Sequence, residues 1–559
     1  MFKLKINPLL FAIPLILIIV ISILLLSRDS RLPGLNTTSP WFRAGLESLE
    51  NARNRPINNS AGAAKNIILF VGDGMSMTTV TAARIFAGQQ SGQNGEEHVL
   101  SFEQFPWSGL SRTYNTNQQT PDSSGTMTAM MTGIKTRAGV LNIREEVERA
   151  SCENYLGTAN ADLMTALELA EIAGKATGIV STARLTHATP AAAYAKSPER
   201  DWEASTSPGE EDPPNDCQDI ASQLIGFAGR LRNSLNTTNT EIDGIDLAFG
   251  GGRAMFYAED PENLVGFAES TEEGAREDGR NLIREWINQG GIYVMDQSSF
   301  DLLSNEENRN ILGLFDSSHM HFEADRHNDE AGEPSLTEMT IKAIDILEED
   351  SDGFFLVIEA GRIDHAHHNN NAYNALNETL ELSNAVAAAL DATDSDETLI
   401  IVTADHSHVM TMAGYPTRGN PILGKVISND ASGNPQAEYE LDNNGLPYTT
   451  LNYMNGLGFA DLEERTDGNY PRLELEEGEE PPPLPGRVDL SNVDTEIPGF
   501  HQEAFIPFRD GETHAGEDVP IYASGPGAHL LSGSIEQNVI FHVMNFAGNL
   551  QQLAEEALE

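Results

Sequence analysis

Basic residues are scarce in this 559-residue chain: 34 Lys and Arg stand against 85 Asp and Glu, a formal charge of -51. So acidic a surface repels phosphate backbones, which excludes nucleic acid as a bound partner. Self-repulsion of that size is best tolerated where salt screens it, so a saline exterior is expected. Cysteine is scarcer still. Only Cys152 and Cys217 occur, with no C-x-x-C pair, which excludes a cysteine zinc ribbon or a thioredoxin-like redox motif. Long apolar runs are missing with one exception, Leu9 to Leu26, preceded by Lys3 and Lys5 and followed by Arg28. That length can cross a bilayer. No A-x-A cleavage pattern follows and no cysteine is placed for lipid attachment, so residues 1–27 read as a retained signal anchor in preference to a cleaved signal peptide. The positive amino-terminal side predicts export of the rest, to the periplasm or the cell surface, with attachment to the membrane through residues 9–26. Two cysteines in an exported chain are expected to pair, which makes Cys152–Cys217 a disulfide candidate.

What the chain does have is length enough for three or four average domains, or for one large α/β domain with insertions. Residues 28–64 are polar and read as a tether with a surface helix. From 65 to 420, strand-like runs alternate with amphipathic stretches such as Ala161 to Ala173 and Ser335 to Glu349, the βαβ rhythm of a catalytic α/β core. Residues 421–500 break that rhythm. They are rich in Asn, Gly, Pro and acid, with Glu474-Leu-Glu-Glu-Gly-Glu-Glu-Pro-Pro-Pro at their centre, and read as an inserted subdomain or flap. Residues 501–559 complete the core with a strand at Val519–Ser524 and a closing helix over Ile535 to Leu558.

Three apolar runs each end in acids and histidines: Asn66-Ile-Ile-Leu-Phe-Val-Gly-Asp73, Phe354-Phe-Leu-Val-Ile-Glu359 with Asp364-His365-Ala-His367-His368, and Thr398-Leu-Ile-Ile-Val-Thr-Ala-Asp405-His406-Ser-His408. Continuous β-rich runs read as strands buried on both faces, and ligands of such sheets bind beyond the strands' carboxyl ends. Oxygen and imidazole donors gathered at one rim are what a cluster of divalent metals needs. Asp364 and His368, four apart, share one face of a helix. Pro121-Asp122-Ser123-Ser-Gly-Thr leads into the helical stretch Met127-Thr-Ala-Met-Met-Thr, so Ser123 sits at a helix amino terminus, as a nucleophile whose anion the helix end favours or as an N-cap. The G-x-S-x-G elbow is absent, because Pro121 takes the place of the first glycine, so activation by metal is expected in place of a Ser-His-Asp triad. His514 in Gly511-Glu-Thr-His-Ala-Gly-Glu-Asp is a late candidate ligand.

These segments resemble the alkaline phosphatase family, through Val71-Gly-Asp73-Gly-Met, Pro121-Asp-Ser123-Ser-Gly-Thr, His187-Ala-Thr189-Pro, Glu359-Ala-Gly-Arg-Ile-Asp364-His-Ala-His-His368, Thr403-Ala-Asp405-His406-Ser-His and Thr513-His514-Ala-Gly-Glu-Asp, in family order over roughly residues 65 to 550. The resemblance implies a central mixed, mostly parallel sheet between helices, a crown-like insertion, a homodimer, and hydrolysis of small phosphate monoesters. Ser123 would be the phosphorylated nucleophile and Arg200 the phosphate-binding arginine. Asp364, His368 and His514 would hold one zinc ion, Asp73, Asp405 and His406 a second, and Asp73, Thr189 and Glu359 a magnesium ion. His187 and His365 match the histidines of vertebrate members at the two metal-adjacent places, and His408 stands beside the zinc pair. Phe315, Asp316 and Glu333, with Glu262, lie where vertebrate relatives bind calcium. Two rival readings are a phosphodiesterase of the same superfamily and an inactive acidic surface protein that stores metal. Storage would require neither Ser123 nor Arg200.

Overall fold

The computed structural model describes Arg43 and residues 64–205, 217–238, 242–258, 274–304, 310–457, 487–508 and 511–559. Ten strands form the central sheet: β1 Asn66–Gly72, β2 Trp107–Arg112, β3 Ala176–Arg184, β4 Leu247–Gly251, β5 Ile292–Val294, β6 Ile311–Leu314, β7 Phe354–Ala360, β8 Thr398–Thr403, β9 Val519–Ser524 and β10 Gly533–Glu536. Their order is β10-β2-β9-β8-β1-β7-β3-β4-β6-β5. Every pairing is parallel except those of β9, which runs antiparallel to both β2 and β8. The expected mixed, mostly parallel sheet is present.

The three donor-bearing runs are neighbours at its middle, β8-β1-β7. Alternate side chains of β1 pass to opposite faces. Ile67, Leu69 and Val71 join one core with Met127, Met130 and Val543, and Ile68 and Phe70 join another with Val80, Met339 and Leu382. Helices therefore cover the sheet twice, with Ser123–Thr132, Ala166–Ile172 and Val539–Gly548 on one side and Met77–Gln90, Leu336–Leu347 and Ala372–Ala392 on the other. Burial on both faces, of every residue of β7 and β8 and of all of β1 after Asn66, is what makes their sequences continuously apolar.

The closing helix differs from expectation. It is two helices, Val539–Gly548 and Leu550–Ala557, separated at Asn549, whose φ of 50° is left-handed and ends the first helix. The expected 421–500 insertion is described at its two ends, 421–457 and 487–500. Leu451–Gly456 within it joins Met410–Met412 and Ala504–Pro507, which lie on either side of it in sequence, in a separate three-stranded sheet. Among the described residues no helix is long and apolar enough to cross a membrane, and Leu9 to Leu26 lies outside them.

Cys152 and Cys217 are joined, 65 residues apart in sequence, beside the buried Trp202. A loop of that length constrains the unfolded chain by about 4 kcal/mol in the loop-entropy account. Reduction is therefore expected to lower unfolding stability by a few kcal/mol, which denaturant unfolding with and without reductant checks. Equal midpoints would overturn it.

Candidate active site

β1 and its neighbours deliver donors to one rim through their register. Val71 of β1 lies opposite Glu359 of β7 and Thr403 of β8, so Asp73 and Asp405 emerge side by side two residues later. Gly74, at φ +67°, lets the chain turn under His408; a Cβ there would lie 2.1 Å from the imidazole. Its N–H donates to Asp405 Oδ1 at 3.0 Å. The short helix Arg362–His368 follows β7 and carries Asp364 and His368. His514 arrives from the far end of the chain through an antiparallel pairing in which it faces His408.

Asp364, His368, His408 and His514 present donor atoms that lie within 4.8 Å of one another. Asp364 Oδ1 is 3.3 Å from His368 Nε2, 2.6 Å from His408 Nε2 and 3.4 Å from His514 Nε2. The outer hydrogen bonds assign the tautomers. His368 Nδ1 donates to the Glu512 carbonyl at 2.6 Å, and His514 Nδ1 donates to the Pro121 carbonyl at 2.8 Å. Both rings consequently aim bare Nε2 lone pairs inward, 3.2 Å apart. Two lone pairs face to face repel unless a cation lies between them, so these residues fit a metal ion.

His408 behaves differently. Its Nδ1 meets Glu512 Oε2 at 2.5 Å while its Nε2 meets Asp364. Burial lowers its affinity for a proton, but the two carboxylates outweigh that and push its pKa up to about 10. Bonded to a carboxylate through each nitrogen, His408 braces Asp364. His406 is the opposite case, since burial and the other histidines hold it well below the usual value and keep its ring neutral.

A second group is Asp73, Asp364 and His406, with Asp405 Oδ2 3.2 Å from His406 Nε2. A third is Asp73, Glu359 and His187. Thr189 Oγ1 donates to Asp73 Oδ2 at 3.3 Å, which adds the expected threonine. Burial, then repulsion from Asp405, Asp364 and Glu359, holds Asp73 well above the carboxylate range. Glu359 is pushed up to about 7 by burial, with Asp405 adding to the shift against the Ser181 hydrogen bond. Asp73 Oδ1 and Glu359 Oε1 are buried without a hydrogen-bond partner. Crowded carboxylates with orphaned oxygens fit divalent cations, and the oxygen-only trio of Asp73, Thr189 and Glu359 fits a hard one.

Ser123 Oγ lies 3.1 Å from His406 Nε2, at the first residue of its helix. The alternative role as a cap is corrected here. Asp122 is the N-cap and accepts from the Gly125 N–H, which leaves the Ser123 hydroxyl to the metal-ligand cluster. Arg200 reaches the same place, with Nη1 3.3 Å from Asp122 Oδ2 and Nη2 3.0 Å from His187 Nε2.

Sequence reasoning missed Asp122 and Glu512. Asp122 holds Ser124, Gly125, Gly139 and Arg200 at once, and Glu512 fixes two imidazoles and the Val409 N–H. Both sit inside the quoted motifs, next to or two residues from a candidate, and that adjacency was the available signal. His319 was also missed; its ring centroid is 4.0 Å from that of His365 and 5.5 Å from that of His187. His367 is kept from the site by Thr79 and Tyr453, which bond its two nitrogens. Of the calcium candidates, Asp316 and Glu333 come together with His321, and Phe315 is buried against Phe249 and Phe300. Glu262 lies outside the described residues.

A sequence model of the family described as alkaline phosphatase matches residues 64–550. The chain belongs to the alkaline phosphatase family. The tissue-nonspecific alkaline phosphatase of Gallus gallus is 38% identical over 513 residues, covering 91% of this chain and 88% of that protein. A membrane-bound alkaline phosphatase of Bombyx mori is 37% identical over 537 residues, covering 93% and 87%. Among solved structures, the alkaline phosphatase of Thermus thermophilus superposes with a TM-score of 0.57 at 23% identity, covering 95% of this chain and 99% of that one. That of the Antarctic bacterium TAB5 gives 0.54 at 19%, covering 88% and 99%. As an alkaline phosphatase, the protein is a phosphoric monoester hydrolase that binds metal.

Proposed function

We propose that this alkaline phosphatase works through a phosphoserine at Ser123, with two zinc ions and one magnesium ion per subunit. The zinc ions would be held by Asp364, His368 and His514 and by Asp73, Asp405 and His406, the magnesium ion by Asp73, Thr189 and Glu359. The observation that carries the reading is the Ser123 hydroxyl against His406, inside the ligand cluster, with Arg200 alongside. When bound, the metals supply Lewis-acid stabilisation of the negative charge that develops on the attacking and leaving oxygens.

The protein's own groups do the rest. Arg200, braced by Asp122, offers its planar fork to two phosphoryl oxygens and so sets the phosphorus in line with Ser123. Ser123 Oγ attacks phosphorus and forms the new P–O bond as the ester P–O bond breaks, and the proton lost from Ser123 is passed through solvent to the departing alkoxide, which leaves as the alcohol. The helix amino terminus favours the anion that forms at Ser123. Water then attacks the phosphoserine, inorganic phosphate leaves and the hydroxyl is restored. Recognition energy goes to the phosphate, so discrimination among alcohols would be low. His368 and His514, with side chains 34% and 16% exposed, open the cluster to solvent on the side where an ester would enter. Export and homodimerisation belong to the same proposal, as does attachment through residues 9–26, with the membrane-bound Bombyx mori relative in its favour.

Stripping metal from the purified protein with a chelator is expected to lower hydrolysis of a generic phosphate monoester by roughly 10²-fold or more, because Lewis-acid stabilisation is worth several kcal/mol. Zinc and magnesium together should restore it. Full activity after complete removal of metal would refute the reading.

A further inference from the structure

Asp122 and His187 hold the two terminal nitrogens of Arg200, and Asp201 stands at the third, its Oδ1 3.8 Å from Arg200 Nε. Asp201 is shared. Its Oδ2 accepts from Arg149 Nη2 at 3.3 Å, and Arg149 is locked in turn on Glu199, with Nε donating to Oε2 and Nη2 to Oε1, each at 2.7 Å. One guanidinium therefore clamps the residues just before and just after Arg200. The backbone is shaped to bring it there. Gly139, at φ +80°, donates its N–H to Asp122 Oδ2 and accepts from the Arg200 N–H, and a Cβ at that position would lie 2.2 Å from Arg149 Nε. Ala150 takes a left-handed φ of 58°, unfavourable for alanine, and its N–H donates to the Pro198 carbonyl. Two residues on, Cys152 is bridged to Cys217 against Trp202, so the loop carrying Arg149 is fastened to the segment carrying Arg200 at Pro198, Glu199, Asp201 and Trp202.

We propose that Arg149 is a positioning residue for Arg200, acting through Asp201 to hold the Arg200 fork in the orientation that grips phosphate. The inference rests on the reading of Arg200 as the phosphate-binding group. Burial alone explains only half of what Arg149 does. The Glu199 side chain is 4% exposed and requires a cation for its own sake, whereas that of Asp201 is 42% exposed and could be left to water. Reaching Asp201 as well ties the buried pair to Arg200 Nε. A guanidinium fixed at all three nitrogens keeps its plane, and a fork already in plane loses less freedom when it closes on two phosphoryl oxygens. Only arginine can serve both carboxylates here, because its planar fork spans them and the point charge of lysine does not.

Competitive inhibition of the metal-loaded, full-length enzyme by inorganic phosphate reads the grip directly. Arg149→Lys leaves Glu199 a cation but breaks the span to Asp201, and it is expected to raise the inhibition constant roughly 10-fold, the size of coupling usual within one ion-pair network. Asp201→Asn cuts the same link at an exposed side chain, so it keeps the test open should Arg149→Lys fail to fold. It should raise the constant by a similar factor, and the two changes together should do little more than either alone. In an Arg200→Ala background neither change should matter. If the pair acted only through its field, Arg149→Lys would change nothing and Asp201→Asn, by removing a negative charge, would tighten phosphate; that result would overturn the proposal. So would equal losses with and without Arg200, which would mark Arg149 as a structural residue alone. Arg200→Ala that inhibits as the parent does would refute the reading of Arg200 itself, and the role of Arg149 with it.

Discussion

Ser123→Ala is expected to abolish most turnover while leaving the fold and the metal content in place. Removal of the attacking group should cost on the order of 10³-fold or more in kcat, with the remainder coming from direct attack of water on the bound ester. Stability should change little, for a structural reason. The N-cap of this helix is Asp122, so the substitution removes no cap, and alanine is a good residue inside a helix. The neighbouring change supplies the contrast: Asp122→Ala would lose the cap, about 1 kcal/mol, together with the brace on Arg200. Acid quenching of the parent during turnover of a labelled phosphate ester should place the label on the peptide that contains Ser123. Label on another residue, or full activity in a folded Ser123→Ala protein, would discard the phosphoserine mechanism.

The parts of this molecule that were legible in its sequence share a physical cause. β1, β7 and β8 are buried on both faces at the centre of the sheet, so each is a continuous apolar run, and each run ends where donors appear. β2 and β10 lack that cause. β2 alternates between half-buried and exposed and β10 lies at the edge, so neither has an apolar run to give it away. The helix break at Asn549 had a local signal in Gly548-Asn549, a pair suited to a left-handed turn, which the apolar periodicity on either side concealed.

Within the site, residues that touch a metal or phosphate were easier to find than those that hold them. Asp73, Asp405 and His406 follow strands directly, and Asp364 and His368 follow a helical spacing. Glu512 works through contacts to His408 and His368 that are 104 and 144 residues away in sequence, and no local pattern encodes contacts at that range. His321 is a similar case, because its partner Glu333 is 12 residues away and joins it only through the fold of the intervening loop. A single sequence exposes donors by their type and leaves the network that orients them to the tertiary structure.

Asp364→Asn is expected to be the most damaging conservative change in the site after loss of the nucleophile, because among the described residues Asp364 is the one anion within 3.4 Å of three imidazoles. Burial raises its pKa, but His368, His408 and His514 together outweigh burial and hold it well below the usual range. Asparagine keeps the shape and removes the charge. The His408 imidazolium then loses one of its two carboxylates, and a cation held by the inward Nε2 atoms of His368 and His514 would lose its anionic ligand. Zinc affinity at this group should fall by at least the 10–100-fold that follows loss of an outer partner, and turnover should fall with it. Stability of the metal-stripped protein should drop by roughly 3–5 kcal/mol, as when one member of a buried pair is removed. The pH dependence has a definite sign. A carboxylate whose folded pKa is depressed stabilises the protein above its unfolded pKa, near 3.9, and that contribution disappears as pH falls through the folded value. The gap between parent and Asp364→Asn should therefore be widest near neutral pH and narrow in acid, below the unfolded pKa. Unfolding curves of both stripped proteins across that range, with zinc counts of the loaded ones, check each part. A variant that keeps its zinc and unfolds at the same denaturant midpoint as the parent near neutral pH would show that Asp364 is not the hub of the cluster.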